Sequence, residues 1–235
     1  MSSRGFTFKQ FHINHDRCAM KVGTDGILLG AWASLGSARR ILDIGTGSGL
    51  VALMLAQRSE PEVKITGLEL DEAAALQAAD NVRASPWPKK IDIVQGALQE
   101  YLADPFDLIV SNPPYFAHGQ EFADTARGQA RHTGSLSLAE LFRHSRRLLS
   151  PTGSLMLVLP SQAMDEALVQ AAAYDFFVAE KVAVITKEGK VAGRFLCRLN
   201  STKCCSVSGE LVINTNYNAY GDAYVSLVSP FYLKM

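Results

Sequence analysis

Asp43-Ile44-Gly45-Thr46-Gly47-Ser48-Gly49 follows a short apolar run, Ile41–Ile44, and precedes a helical pattern, Leu50–Gln57. Glycines let the backbone turn tightly and approach a ligand closely. A strand, a glycine turn and a helix in this order predict a doubly wound sheet. The turn then lies at the carboxyl end of the first core strand, where ligands bind. A nucleotide-type cofactor is expected there. The spacing is G-x-G-x-G. The dinucleotide fingerprint would need a third glycine at position 50, which is Leu50, so a pyrophosphate cofactor is disfavoured. Glu69 ends the next strand pattern, 20 residues after Gly49. An acidic side chain there can accept both ribose hydroxyls of a cofactor.

Around this unit the chain alternates strands and helices. Strand patterns occupy Ile41–Ile44, Val63–Leu70, Ile91–Val94, Asp107–Ser111, Leu155–Leu159, Val178–Thr186 and Arg194–Leu199. Helical patterns occupy Thr24–Ser34, Leu50–Gln57, Glu72–Ala84, Leu138–Leu149 and Gln162–Ala173. Thr24 or Asp25 could cap the first. Pro86-Trp87-Pro88 ends the Ala-rich helix, and Pro151-Thr152-Gly153 ends the next. The prediction is an α/β fold with a doubly wound, mostly parallel, seven-stranded sheet. Glu188-Gly189-Lys190 turns the last two strands into an antiparallel edge hairpin. The final segment, Ala223–Leu233, reads as β-like and aromatic.

The 235 residues are 48% hydrophobic and 20% charged, which excludes a disordered or fibrous chain. No apolar run is long enough for a membrane span. Met1–Gln10 has no signal core, and the four cysteines show no disulfide framework, so a cytoplasmic protein is expected. The net charge is zero, but residues 1–126 carry −4 and residues 127–235 carry +4. A basic face is therefore available to an acidic partner. His12-x-x-His15-Asp16-x-Cys18 lacks closed metal spacing and reads as a packed, hydrogen-bonded segment, so no metal is expected.

Asn112-Pro113-Pro114-Tyr115 follows the fourth strand, on the same predicted sheet edge as the glycine loop. Two prolines fix the backbone and remove two N–H donors. The Asn112 side-chain oxygen and the Pro113 carbonyl could both accept from one –NH2 group. Tyr115, with Phe116 beside it, offers a face on which a base or amide could stack. Arg143, Arg146 and Arg147 on one helix flank, with Arg127, Arg131, Lys187, Lys190 and Arg194, could contact phosphates.

Asp43–Gly49, Glu69 and Asn112–Tyr115 together resemble the class I S-adenosylmethionine-dependent methyltransferases that methylate amino groups, with their Rossmann-like fold. Asn14–Asp25, Ala130-Arg131-His132-Thr133 and Phe231–Met235 narrow the resemblance. They are similar to the bacterial enzymes that methylate N6 of adenosine 37 in valine tRNA. The resemblance implies S-adenosylmethionine as cofactor, tRNA as partner and no obligate protein partner. It implies that Gly45, Gly47 and Gly49 pack against the cofactor, Asp43 lies near its methionine amine, and Glu69 holds its ribose. Thr24 and Asp25 would lie near the methionine end, and the Leu98 backbone N–H near the adenine. Asn112, Pro113 and Tyr115 would be catalytic, with Tyr115, Phe116, Arg131 and Arg194 on the substrate. Residues 1–40 would pack on the cofactor site, 41–200 would form the core, and 201–235 would add a C-terminal strand extension to the same domain. One departure is Ala97, where many relatives carry Asp against the adenine amine. The alternatives are a protein glutamine N5-methyltransferase, another RNA or DNA adenine N6-methyltransferase, and an inactive cofactor- or RNA-binding module.

Overall fold

The central strands are apolar on both faces, as strands covered by helices on both sides must be. Their side chains alternate between two cores. Ile41, Val110, Met156 and Val158 face one, and Leu42, Ile109, Leu155 and Leu157 the other. The computed structural model describes residues 5–114, 136–217 and 219–234. Its strands are β1 Gly5–Thr7, β2 His12–Asn14, β3 Arg40–Ile44, β4 Lys64–Glu69, β5 Ile91–Gln95, β6 Phe106–Ser111, β7 Leu149–Pro160, β8 Phe177–Lys187, β9 Arg194–Asn200 and β10 Val207–Asn214. The helices are α1 Thr24–Trp32, α2 Leu50–Arg58, α3 Glu72–Arg83, α4 Leu138–Leu148, α5 Ser161–Ala173 and α6 Asp222–Val228.

The main sheet runs β10-β8-β9-β7-β6-β3-β4-β5. All pairs are parallel except those of β9, which lies antiparallel between β7 and β8. From β3 the chain winds outward through β4 and β5, then returns to β6 on the other side and winds out through β7. The strand order therefore reverses between β3 and β6, which opens a crevice at their carboxyl ends. Helices α1, α2 and α6 cover one face through Leu28, Leu53 and Val228. Helices α4 and α5 cover the other through Phe142 and Met164. Gly30 allows α1 to approach α2, since a Cβ there would meet Met54 at 2.7 Å.

The seven expected strands and their hairpin are present, and an eighth, β10, pairs in parallel outside β8. Its alternation of buried Leu211 and Ile213 with more exposed neighbours is the strand period. The final segment departs from expectation. Asp222–Val228 is a helix, and Tyr224 and Val228, four residues apart, bury one face of it. Thr24 and Asp25 do not cap α1; Gly23 is the N-cap, without a side-chain bond. Pro151-Thr152-Gly153 does not end the helix: α4 stops at Leu148, and the three residues lie inside β7. Pairing with β6 jumps there from Phe106–Leu149 to Leu108–Ser154.

Strands β1 and β2 form a separate antiparallel pair. Phe8 stacks on Phe11 with ring centroids 4.6 Å apart, Phe6 meets Tyr232 edge-on at 5.8 Å, and Lys9 N–H donates to Phe231 O at 2.8 Å. The two ends of the described chain thus pack together.

Candidate functional site

The glycine loop leaves β3 with Gly45, Gly47 and Gly49 at φ of 69°, 56° and 81°, a left-handed conformation that L side chains rarely adopt. A Cβ added at Gly45 would meet nothing within 4 Å. Gly45 therefore faces open space, whereas Gly49, expected against the cofactor, faces α3, where a Cβ would meet the Ala78 Cβ at 3.5 Å; the loop is held from behind. Gly45 N–H and Thr46 N–H both donate to Leu68 O, at 2.8 and 3.1 Å. Asp43 is buried beneath the loop; its Oδ2 accepts from Thr46 Oγ1 at 2.6 Å and from Ala52 N–H at 3.1 Å. Burial pushes the Asp43 carboxyl up to about 7, against the pull of these two donors.

Glu69, at the carboxyl end of β4, is set by the backbone. Oε2 accepts from Gly47 N–H at 2.8 Å and Oε1 from Asp71 N–H at 3.0 Å. Its own carbonyl accepts from Gly96 N–H at 2.8 Å, and a Cβ at Gly96 would also meet nothing within 4 Å. Two open glycines thus flank a braced carboxylate at the ends of β3, β4 and β5. Across the crevice, Ser111 Oγ donates to Ile44 O at 2.9 Å and ties the end of β6 to the end of β3. Asn112 follows, half-buried, with Pro113 buried and Pro114 exposed. Tyr115, Phe116, Arg127 and Arg131 lie outside the described residues.

The segment before α1 is a strap. Two buried polar residues on α3 hold it. Asn81 Oδ1 accepts from Asn14 N–H at 3.0 Å, and its Nδ2 donates to Asn14 O and to Ser48 O, both at 2.8 Å. Gln77 Oε1 accepts from Arg17 N–H at 2.8 Å, and its Nε2 donates to Asp16 Oδ1 at 2.8 Å. The His15 ring Nδ1 accepts from Val22 N–H at 3.2 Å. One strap is therefore fastened both to α3 and to the glycine loop. Burial, with the nearby Glu69 and Asp71 carboxylates, raises the Cys18 thiol to about 11. Cys18 is thus a protonated thiol near the Glu69 carboxylate, not a nucleophile. Sequence reading had not singled out Gln77 and Asn81. Their signal was polar residues on the buried, Ala-rich face of α3.

Asp25 and Arg194, expected on cofactor and substrate respectively, meet each other. Asp25 Oδ1 lies 2.8 Å from Arg194 Nε and joins α1 to β9. Burial raises the Asp25 carboxyl, and Arg194 opposes the rise. Leu98 is buried in the second core, and its carbonyl accepts from Arg147 at 3.4 Å. Arg147 also donates to Tyr101 O at 2.9 Å, so it braces the loop after β5. A surface cavity of about 580 Å³, lined by Gln57, Lys64, Trp87 and Lys89 among others, lies where β4 and β5 begin, at the opposite sheet edge.

Residues 22–188 match the methyltransferase small domain family. The chain belongs to that family. This methyltransferase is 55% identical to the tRNA1(Val) (adenine(37)-N6)-methyltransferase of Aeromonas hydrophila, over 98% of each chain. It is 44% identical to the protein of the same name from Tolumonas auensis, over 100% of this chain and 99% of the other. Its fold is similar to the crystal structure of a predicted O-methyltransferase from Agrobacterium tumefaciens, with TM-score 0.71 and 18% identity over 88% of this methyltransferase and 96% of that chain.

Proposed function

We propose that this protein transfers a methyl group from S-adenosylmethionine to the N6 amine of an adenosine in tRNA, position 37 of valine tRNA, in the cytoplasm. The observation that carries the chemistry is the crevice between β3 and β6. It brings an open, braced glycine loop and the Asn112-Pro113 turn to the ends of neighbouring strands, which supports a reading of Asn112 and Pro113 as acceptors. The named relatives, aligned over nearly the whole chain, favour adenine in tRNA over the amide of glutamine.

The residues present fit the cofactor. Gly45, Gly47 and Gly96 leave open backbone for it, Glu69 is oriented to take its ribose hydroxyls, and Asp43 fixes the loop shape while lying beneath the methionine end. Thr24, Asp25 and the strap would close that end, and the backbone N–H of Leu98 would face the adenine. When bound, S-adenosylmethionine supplies an electrophilic methyl group on a sulfonium, so the target nitrogen needs placement rather than a strong base. The adenine amine is a poor nucleophile because its lone pair is delocalised into the ring. The Asn112 side-chain oxygen and the Pro113 carbonyl accept its two hydrogens and favour a more tetrahedral nitrogen. That interaction strengthens as positive charge grows on the amine, so it acts on the barrier rather than on binding. Tyr115 and Phe116 would hold the extruded base by stacking.

The test is incubation with methyl-labelled cofactor and unmodified tRNA. Label that is lost with ribonuclease, survives protease and co-migrates with N6-methyladenosine after nucleoside digestion is the expected result. Label in protein would favour glutamine, and no transfer to either would leave a binding module.

A further inference from the structure

Beyond the crevice, the carboxyl edge of the sheet continues along β9, β8 and β10 and ends in two loops. The β8–β9 loop turns at Gly189, with φ of 77°. The second loop joins β10 to α6. The two are tied together: Glu188 N–H donates to Asn214 O at 2.8 Å, Asn214 Nδ2 to Thr186 O at 3.0 Å, and Asn216 N–H to Glu188 Oε2 at 3.2 Å. A single exposed apolar side chain is ordinary. Here three gather on loops held in place: Val191 is 90% exposed, Tyr217 92% and Tyr220 49%. Lys187 and Lys190 are exposed among them. Among the described residues neither lysine has an ion-pair partner. Of the local carboxylates, Glu188 is bound to Asn216 N–H, and Asp222 opens α6, where a carboxylate suits the helix N-terminus. Tyr220 is preset by Tyr224, with ring centroids 5.4 Å apart.

Because β8 and β10 are parallel to β6, these loops share the edge that carries Asn112. At about 4.8 Å per strand, they stand about 14 to 19 Å from it along the sheet. That is beyond the reacting nucleotide but within one folded RNA arm. We propose that the tied loops form a second RNA-contact platform, with Tyr217 and Tyr220 stacking on bases and Lys187 and Lys190 on phosphates of the tRNA arm whose adenosine enters the crevice. The proposal rests on the tRNA reading above. Interleaved aromatics and cations are the chemistry of a nucleic-acid surface, and base stacking tolerates any sequence because every base has a π-face.

The experiment uses the full chain with tRNA and compares Tyr217→Ala, Tyr217→Phe and Lys187→Ala/Lys190→Ala with wild type. Tyr217→Ala should raise the KM for tRNA by about tenfold, the loss of one stacking contact. Turnover at saturating tRNA and cofactor affinity should stay at the wild-type level. Tyr217→Phe, which keeps the ring, should restore KM. The lysine pair should lower the slope of log affinity against log salt by about 2, one per phosphate contact. Wild type that methylates tRNA, with variants of unchanged KM and salt slope, overturns the platform and leaves the function intact. Wild type that neither binds nor methylates tRNA overturns both. A self-association of wild type that Tyr217→Ala abolishes, with tRNA parameters unchanged, gives the patch to a protein contact and overturns the platform.

Discussion

Asn112 is the residue on which the proposed chemistry turns. It follows a strand locked to β3 by Ser111 and precedes buried Pro113, so its backbone is set by neighbours rather than by its own side chain. Asn112→Ala should fold normally and bind cofactor and tRNA with near wild-type affinity. Single-turnover methylation should fall by about 10²- to 10³-fold, as on loss of one transition-state hydrogen bond. A near-normal rate would make Asn112 only a turn residue. Asp43 makes a different prediction. Its carboxyl rises from an ordinary 3.8 to about 7 in the folded protein. Between about pH 4 and 7 the native state keeps a proton that the unfolded state has released. Stability therefore falls as pH rises through that window, by up to about 1.4 kcal/mol per unit, and levels off above it. Urea unfolding of wild type and Asp43→Asn from pH 4 to 8 checks this. The difference between the two curves should slope across the window and flatten above pH 7. A flat difference throughout would mean that the two donors keep Asp43 ionised.

At the scale of elements, the strap depends on α3. Asn81 satisfies both backbone groups of Asn14 and the carbonyl of Ser48, so it links β2, α3 and the glycine loop. Asn81→Ala leaves these groups without a partner, at about 1–3 kcal/mol for a buried group. Amide exchange at residues 14–17 should accelerate, and cofactor affinity should weaken more than turnover. Unchanged exchange at Asn14 would show that the strap is held elsewhere. The strap was legible only as a hydrogen-bonded segment. Nothing local to Asn14 or Arg17 names its partners, which lie 60 to 67 residues away. The start of α4 shows the opposite case. Ser137 and Glu140 form a full capping box, and the S-x-x-E spacing that signals it is entirely local.

For the whole molecule, the charge asymmetry acquires a place. Arg194, Lys187 and Lys190 stand at the carboxyl edge of the β9–β8 wing, in line with the crevice, whereas Arg147 is spent on carbonyls of the loop after β5. Arg194 is also paired with Asp25, so a phosphate contact by Arg194 would compete with a partly exposed ion pair, worth about 1 kcal/mol or less. Arg194→Ala should therefore cost little in thermal stability. It should flatten the salt dependence of tRNA binding by about 1 in slope. A lowered Tm with an unchanged slope would reduce Arg194 to a structural partner of Asp25.

The order of strands and helices, the glycine turn after β3 and the end of β6 before Asn112 were readable because each is written in a few consecutive residues: a period of two or 3.6, a glycine spacing, a proline pair. Ala223–Leu233 was misread because aromatic and β-branched residues suit either a strand or the buried face of a helix. Only packing of Tyr224 and Val228 against the first core chose the helix. The same holds for β10, whose polar start hid a strand that exists because β8 offers it an edge. Tertiary structure alone decided that Asp25 meets Arg194, that Gln77 and Asn81 hold the strap, and that Tyr217 shares an edge with Asn112. These residues are distant in sequence, and strand order sets how far apart their loops lie.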